Sequence, residues 1–310
     1  VIQLRGAELI AEQEAHKTNA RHAMWHVGDL SYHCSPVQIR ARSLVYEHTV
    51  RRIVWCTNRR FGKSRTACTV SYEKAIHFPG ARIPYAAQTG KQVEEFVEPH
   101  LRELASHAPL EMAPQDISGE WVFPPLCWYD AKGNPVRCIH DGGVEVARMR
   151  GDGDIAHCSK VVCRGSDDRK KADRLRGTGT IFGVIDEAGF IPIVNYVAKS
   201  VIGPQFWEAR SVWGDDVRAC MLITSTPPES PDHPFAEMLI EAEARGAAFR
   251  STIHECEHLD ARAVEEAIED AGGEHTVQWR REGLAELVAD PQNIVIPEWD
   301  DATIVGTLVS

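Results

Sequence analysis

The sequence predicts an α/β protein with a mainly parallel central sheet. Helix-like and strand-like segments alternate through most of the 310 residues, the pattern of a sheet with crossover helices. Two runs, IFGVI (181–185) and ACMLITS (219–225), are apolar almost throughout, as strands covered on both faces are. A third, RRIVWCT (51–57), runs into a polar loop and then a helix-compatible stretch.

The first ~50 residues read as helix, broken at Ser35-Pro36. After strand 51–57, a helix is expected from Lys63 to about Ile76. IPYAAQT (83–89) reads as a strand, and the following KQVEEFVEPHLRELA as a helix with Val93, Phe96, Val97 and Leu101 on one face. Residues 110–150, rich in Pro, Gly and aromatics, are expected to hold short antiparallel strands. From about Ala247 the composition changes. A strand-like AFRSTIHE precedes two acidic amphipathic helices (260–271 and 275–289) and an extended tail.

Composition narrows the classes. Hydrophobic residues at 43% and charged residues at 25% supply a core and exclude a disordered or collagen-like chain. No stretch approaches about 18 uninterrupted apolar residues, so no membrane span is expected. The polar, amphipathic N-terminus does not read as a signal peptide. Lys and Arg number 34 against 45 Asp and Glu, a net charge of −11, which argues against a surface basic all over but allows a local basic stripe. Nine scattered cysteines without a CxxC pair read as reduced thiols of a cytosol-like compartment.

Three motifs carry chemistry. In RRIVWCTNRRFGKSRTACTVS a strand ends, a short loop follows, and Gly62-Lys63-Ser64 opens a helix. A phosphate chain needs this arrangement: backbone N–H groups at the helix start face the anion, the lysine reaches the β- and γ-phosphates, and the serine hydroxyl ligates Mg²⁺. The strict pattern has glycine five positions before Gly62, where this chain has Thr57. FGVIDEAGF (182–190) delivers two carboxylates at a strand's C-terminal end, where α/β sheets place ligands. Asp186 would hold Mg²⁺ and Glu187 would polarise the attacking water; an ordinary strand-to-helix junction would look the same in isolation. The loop about 120 residues upstream favours the catalytic reading. In LITSTPPES (222–230), Ser225 and Thr226 stand at a strand tip, able to sense a γ-phosphate or simply to end a strand before proline.

Together with SPVQ (35–38), NRRFGKS, PYAAQT (84–89), DRLRGTGTIFGVIDEA (173–188) and TSTPPE (224–229), the chain resembles the large terminase subunit of tailed bacteriophages, the motor that pumps DNA into the capsid. The resemblance implies a RecA-like P-loop ATPase fold of the additional-strand type, with ATP and Mg²⁺ as substrate and cofactor. It implies adenine reading by Gln38 and a phosphate loop comprising Thr57, Asn58, Arg59, Arg60, Phe61, Gly62, Lys63, Ser64 and Arg65. Lys63, Arg59 and Glu187 would be catalytic, Ser64 and Asp186 metal-holding, and Ser225 and Thr226 the coupling motif. Arg176 would be the trans-acting arginine finger, with Arg174 as the neighbour to consider. Implied partners are double-stranded DNA, a capsid portal protein, the small terminase subunit and further copies in a ring, the isolated domain being a monomer. The implied location is the host cytoplasm. The expected organisation is an ATPase core over 1–250 with a helical lead-in (1–50), then a helical linker subdomain over 251–310. The family's RNase H-like nuclease would not fit in the ten residues after VIPEWD (295–300), so no nuclease activity is expected.

Other signals point elsewhere. Between Lys160 and Arg176 seven basic residues face three acidic ones, a stripe that would suit a DNA backbone or a solvated loop equally well. His254-Glu255-Cys256-Glu257-His258 matches the zinc-peptidase HExxH pattern, but at the end of an apparent strand, where the two histidines would not share a helix face. A helicase, a zinc metallopeptidase and a nucleotide-binding assembly module without turnover are the alternative readings.

Overall fold

The computed structural model describes residues 2–47, 50–124, 127–129, 135–138, 158–177, 179–213 and 217–289. The expected C-terminal tail and most of 125–157 lie outside them. Helices α1 (Ile2–Val27) and α2 (Pro36–Glu47) are separated by the turn Ser31–His33, and Pro36 opens α2 as its first residue. Helix α3 is Lys63–His77. The strands are β1 (Arg52–Thr57), β2 (Arg82–Ala87), β3 (Gln115–Ile117), β4 (Glu120–Val122), β5 (Cys127–Tyr129), β6 (Pro135–Cys138), β7 (Lys160–Gly165), β8 (Phe182–Ile185), β9 (Cys220–Ser225) and β10 (Ala248–Ser251).

Eight of them form one sheet in the order β10-β1-β9-β8-β2-β7-β4-β3. The six strands from β10 to β7 run parallel, while β4 and β3 extend the edge antiparallel. Strands β5 and β6 pair separately, as expected of short antiparallel strands in that region. Alternate residues face two cores. Ile53 and Trp55 of β1 and Val184 of β8 join Val70, Tyr72 and Leu101 on one face. Val54, Cys56 and Ile185 join Val197, Ile202, Phe235 and Leu239 on the other. This is the three-layer arrangement that burial of both sheet faces requires.

The structure departs from expectation in three places. Strand β7 was not expected, because its KVVCRG core is flanked by charges and reads as the start of the basic stripe. The helix over 90–106 is not uniform: a π-turn spans Val93–Val97 ahead of Glu98–Ser106, beside Pro99, which has no N–H to give to the turn before it. The second C-terminal helix is shorter, Val277–Glu282. Strand β10 lies in the main sheet beside β1, so the segment after 251 continues directly from the core.

Seven cysteines lie among the described side chains, and none is disulfide-bonded. No helix among the described residues is long and apolar enough to cross a membrane. One buried charge cluster ties α3 to α2 and to the connection between α1 and α2. Glu73 of α3 accepts from Arg42 Nε and Nη2 (2.7–3.0 Å), from Tyr46 Oη at 2.6 Å and from the Leu30 amide at 2.7 Å.

Candidate active site

At the C-terminal edge of the parallel strands lies a cleft of about 720 Å³. Its floor is built from the β1–α3 loop and the β8 tip. Gly62 turns the chain into α3 with φ +81°, and a Cβ there would stand 2.6 Å from Gln38 Nε2. Glycine meets both demands, the left-handed backbone and the close approach. Lys63, the first helical residue, is 4% exposed. Its Nζ lies 3.4 Å from the Asn58 carbonyl and 3.5 Å from Glu187 Oε1 across the cleft.

Asp186 is buried, and both of its oxygens are held. Tyr85 Oη donates to Oδ2 at 2.8 Å, Thr224 Oγ1 donates to Oδ1 at 2.5 Å, and the Glu187 amide reaches Oδ1 at 3.1 Å. Glu187 is the opposite case. Its φ of +52° is in the left-handed region, uncommon for a residue with a side chain, and its Oε2 is buried with no hydrogen-bond partner. Burial raises its pKa; Lys63 opposes the rise and the Asp186 charge adds to it. Behind it, Ser225 Oγ accepts from the Gly189 amide at 2.9 Å, and Ser225 pairs in register with Cys56 of β1.

Of the expected site residues, Arg59, Arg60, Gly62, Lys63, Ser64, Arg65, Asp186, Glu187 and Thr226 line the cleft. Thr57, Asn58, Phe61, Gln38 and Ser225 do not. They are buried behind it. The Phe61 ring packs against Trp55 and Phe249, and Asn58 is bonded to the Ser251 carbonyl and Cys256 Sγ, so their side chains anchor the loop and do not face a ligand. Gln38 donates to the Phe61 carbonyl at 2.6 Å, bracing the loop, and accepts from the Ser35 amide at 2.9 Å at the start of α2.

Arg176 is elsewhere. Arg82, the first residue of β2, donates to the carbonyls of Leu175 and Arg174, which puts this segment at the N-terminal edge of the sheet, away from the cleft. The Arg176 guanidinium is bonded to Asp173 (2.8 Å), the Ser200 carbonyl (2.7 Å) and Tyr196 Oη (3.0 Å). Capping the Asp173–Leu175 turn holds it locally, outside the cleft of its own chain. The basic stripe is likewise divided. Lys160 and Arg164 reach Glu120 from β7, Lys171 pairs with Asp167, and Arg169 covers the Tyr196 ring. The HExxH residues lie on the turn Ile253–Glu255 and the bend after it. His254 packs edge-on to Trp279, and His258 bonds the Arg60 carbonyl at 3.1 Å.

Sequence reading missed the groups that hold Asp186, namely Tyr85 and Thr224. It also missed Gln88, Gln92, Phe96, His100, Phe190 and Glu229 in the cleft wall, and Arg281 and Glu282 from the C-terminal segment. Tyr85 had one signal, a polar-tipped aromatic within an apolar strand.

The phosphate-type loop, the carboxylates at the β8 tip and the strand β9 inserted between β1 and β8 define a RecA-like P-loop fold of the additional-strand type. More narrowly, the fold is that of the large-terminase ATPase domain. The ATPase domain of the Thermus phage P74-26 large terminase superposes with a TM-score of 0.54 at 21% identity, over 86% of this chain and 97% of that one. A large terminase from a thermophilic bacteriophage, in complex with ADP, matches with a TM-score of 0.54 at 13% identity, over 82% of this chain and 54% of that one. No protein-family model matches the sequence, and no curated protein is similar to it.

Proposed function

We propose that the chain hydrolyses ATP as the motor domain of a phage large terminase, driving double-stranded DNA into a procapsid. The observation that supports this most is the pairing of Lys63 with Glu187, 3.5 Å apart across a cleft whose floor is the buried Asp186. The cation suits the β- and γ-phosphates. The carboxylate with a raised pKa and a free buried oxygen suits a water that must lose its proton. Water would attack the γ-phosphorus, the bond to the β-phosphate oxygen would break, and Glu187 would take the water proton.

The Ser64 hydroxyl and Asp186 carboxylate are hard oxygen donors at the cleft floor and fit Mg²⁺. When bound, the ion would neutralise charge on the phosphates. Asp186 would act with its orientation fixed by Tyr85 and Thr224. Gln38 contributes through the loop that it braces. Ser225, bonded to the Gly189 amide two residues after Glu187, would couple the reaction centre to β9. Arg176, tied down at the far edge of the sheet, could serve only a neighbouring copy in a ring. Mixing Arg176→Ala with Lys63→Ala subunits tests that: recovered activity means action in trans.

The reading as a whole is tested by steady-state phosphate release with Mg²⁺ and ATP. Turnover by the wild type and none by Lys63→Ala is expected; undiminished turnover in Lys63→Ala would refute the assignment of the loop.

A further inference from the structure

One wall of the cleft carries two carboxamides, Gln88 and Gln92, that the hydrolysis reading leaves unused. We propose that Gln88 donates a hydrogen bond to the γ-phosphoryl group, beside the water that Glu187 deprotonates. Gln92 is then the positioning residue that keeps the Gln88 amide turned for it. This rests on the nucleotide reading above and adds to it a group that tells a triphosphate from a diphosphate.

The sheet puts Gln88 next to the proposed base. Strand β2 pairs in parallel with β8, Tyr85 with Val184 and Ala86 with Ile185, and the Asp186 amide donates to the Ala86 carbonyl at 2.8 Å. Two residues further along each chain stand Gln88 and Glu187, and both line the cleft. The backbone under Gln88 is fixed. The Ser166 amide donates to the carbonyls of Ala87 at 2.9 Å and Gln88 at 3.2 Å. Thr89 caps the helix over 90–106, its Oγ1 accepting from the Gln92 amide at 3.2 Å.

The two carboxamides are tied to each other. Gln92 Nε2 donates to Gln88 Oε1 at 2.9 Å, which occupies the oxygen of Gln88 and leaves its NH2 as the end without a hydrogen-bond partner among the described residues. An amide turned this way is a donor, and a phosphate oxygen is its natural acceptor. Gln92 Oε1 is buried with no partner. A buried acceptor left unsatisfied costs the folded state, so stability does not account for the pair. Holding Gln88 does. A neutral donor fixed in advance meets the charge that spreads over the γ-phosphoryl oxygens without having to reorient. ADP lacks the group that it contacts.

The test is competition of ADP and of an ATP analogue with a nitrogen-bridged γ-phosphate, each with Mg²⁺, against a fluorescent ADP read by anisotropy. Wild type, Gln88→Ala, Gln92→Leu and the double variant are compared, with phosphate release from saturating ATP measured beside them. Gln88→Ala should weaken the analogue on the order of tenfold, as loss of a hydrogen bond to a charged group does, and leave ADP unchanged. Phosphate release should fall by about tenfold or more. Gln92→Leu should act in the same direction by a smaller factor, and add less than about twofold on the Gln88→Ala background. Unchanged ADP binding shows that each variant keeps a folded site. Equal losses for the analogue and ADP would make Gln88 part of the scaffold, and no loss for the analogue would leave the γ-phosphate uncontacted; either overturns the proposal. An unaffected Gln92→Leu, or effects that multiply in the double variant, overturns the positioning role. A wild type that binds neither nucleotide overturns the site reading itself, an outcome distinct from these.

Discussion

Glu73 and Glu187 are both carboxylates withdrawn into the protein beside a cation, and both interact with the surroundings of α3. Glu73 has a guanidinium fork, a phenol and a backbone amide on its oxygens. Glu187 has a lysine at 3.5 Å, one oxygen with nothing to accept from, and a left-handed backbone. The charge that braces the helices is satisfied; the one proposed to take a proton is left wanting. The first stabilises through its partners, and the second is held in place by β8 and β9 at some cost to the folded state.

The largest expected effect breaks the second half of the contrast. Glu187→Gln should lower hydrolysis by on the order of 10²–10⁴-fold while leaving nucleotide binding near wild type, because the amide keeps the shape but cannot take a proton. Its thermal stability should fall less than that of Glu73→Gln, since Glu187 is about a third exposed and meets Lys63 only at 3.5 Å. Parallel losses in binding and turnover, read by titration and phosphate release, would make Glu187 a structural residue.

Glu73→Gln tests the other half. Leaving Arg42 with only the half-exposed Asp29 carboxylate at 3.1 Å should cost up to about 3–5 kcal/mol in a denaturant melt. Residual folded protein should retain its ratio of turnover to bound nucleotide. A small loss of stability would mean that the cluster is no more than decoration.

A third, smaller effect concerns acid. His33 is bonded to His107 at 2.9 Å. Burial, with His107 and Arg65 beside it, depresses its pKa from 6.5 to about 3. The unfolded chain therefore takes up the proton first. Stability should be intact above about pH 6.5 and fall by about 1.4 kcal/mol per pH unit per proton as the pH drops toward 3. His33→Asn should flatten that slope in urea melts between pH 7 and 4. Smallest of all, replacing His254 and His258 together by alanine should leave turnover within a few-fold of wild type; a loss comparable to that of Glu187→Gln would show that the turn over the loop is part of the reaction centre.

The parts of this contrast were unequally legible. The strands under the site are apolar runs that announce themselves, and Gly62-Lys63 and Asp186-Glu187 mark where they end. What surrounds those residues is set by distant segments. The Asp186 orienting groups come from β2 and β9, and the Glu73 cluster draws Arg42 and Tyr46 from α2. Arg281 and Glu282 reach the loop from the C-terminal segment. No periodicity reports such meetings. Strand β7 was hidden by its own charges, which Glu120 on the neighbouring strand partly neutralises.

Strand β9, placed between the lysine-bearing and aspartate-bearing halves of the site, also acts as a ruler. Two hydrogen-bonded strand spacings set the separation of β1 from β8 at about 9.5 Å. Backbone ladders on both sides of β9 make that gap stiff against stretching. The site can then adjust by sliding along the strands or by moving the loops at their tips, and hardly at all by widening. On the proposed reading, a displacement at the cleft would travel along the strand axis, toward the Ser225–Gly189 contact and the loops beyond it.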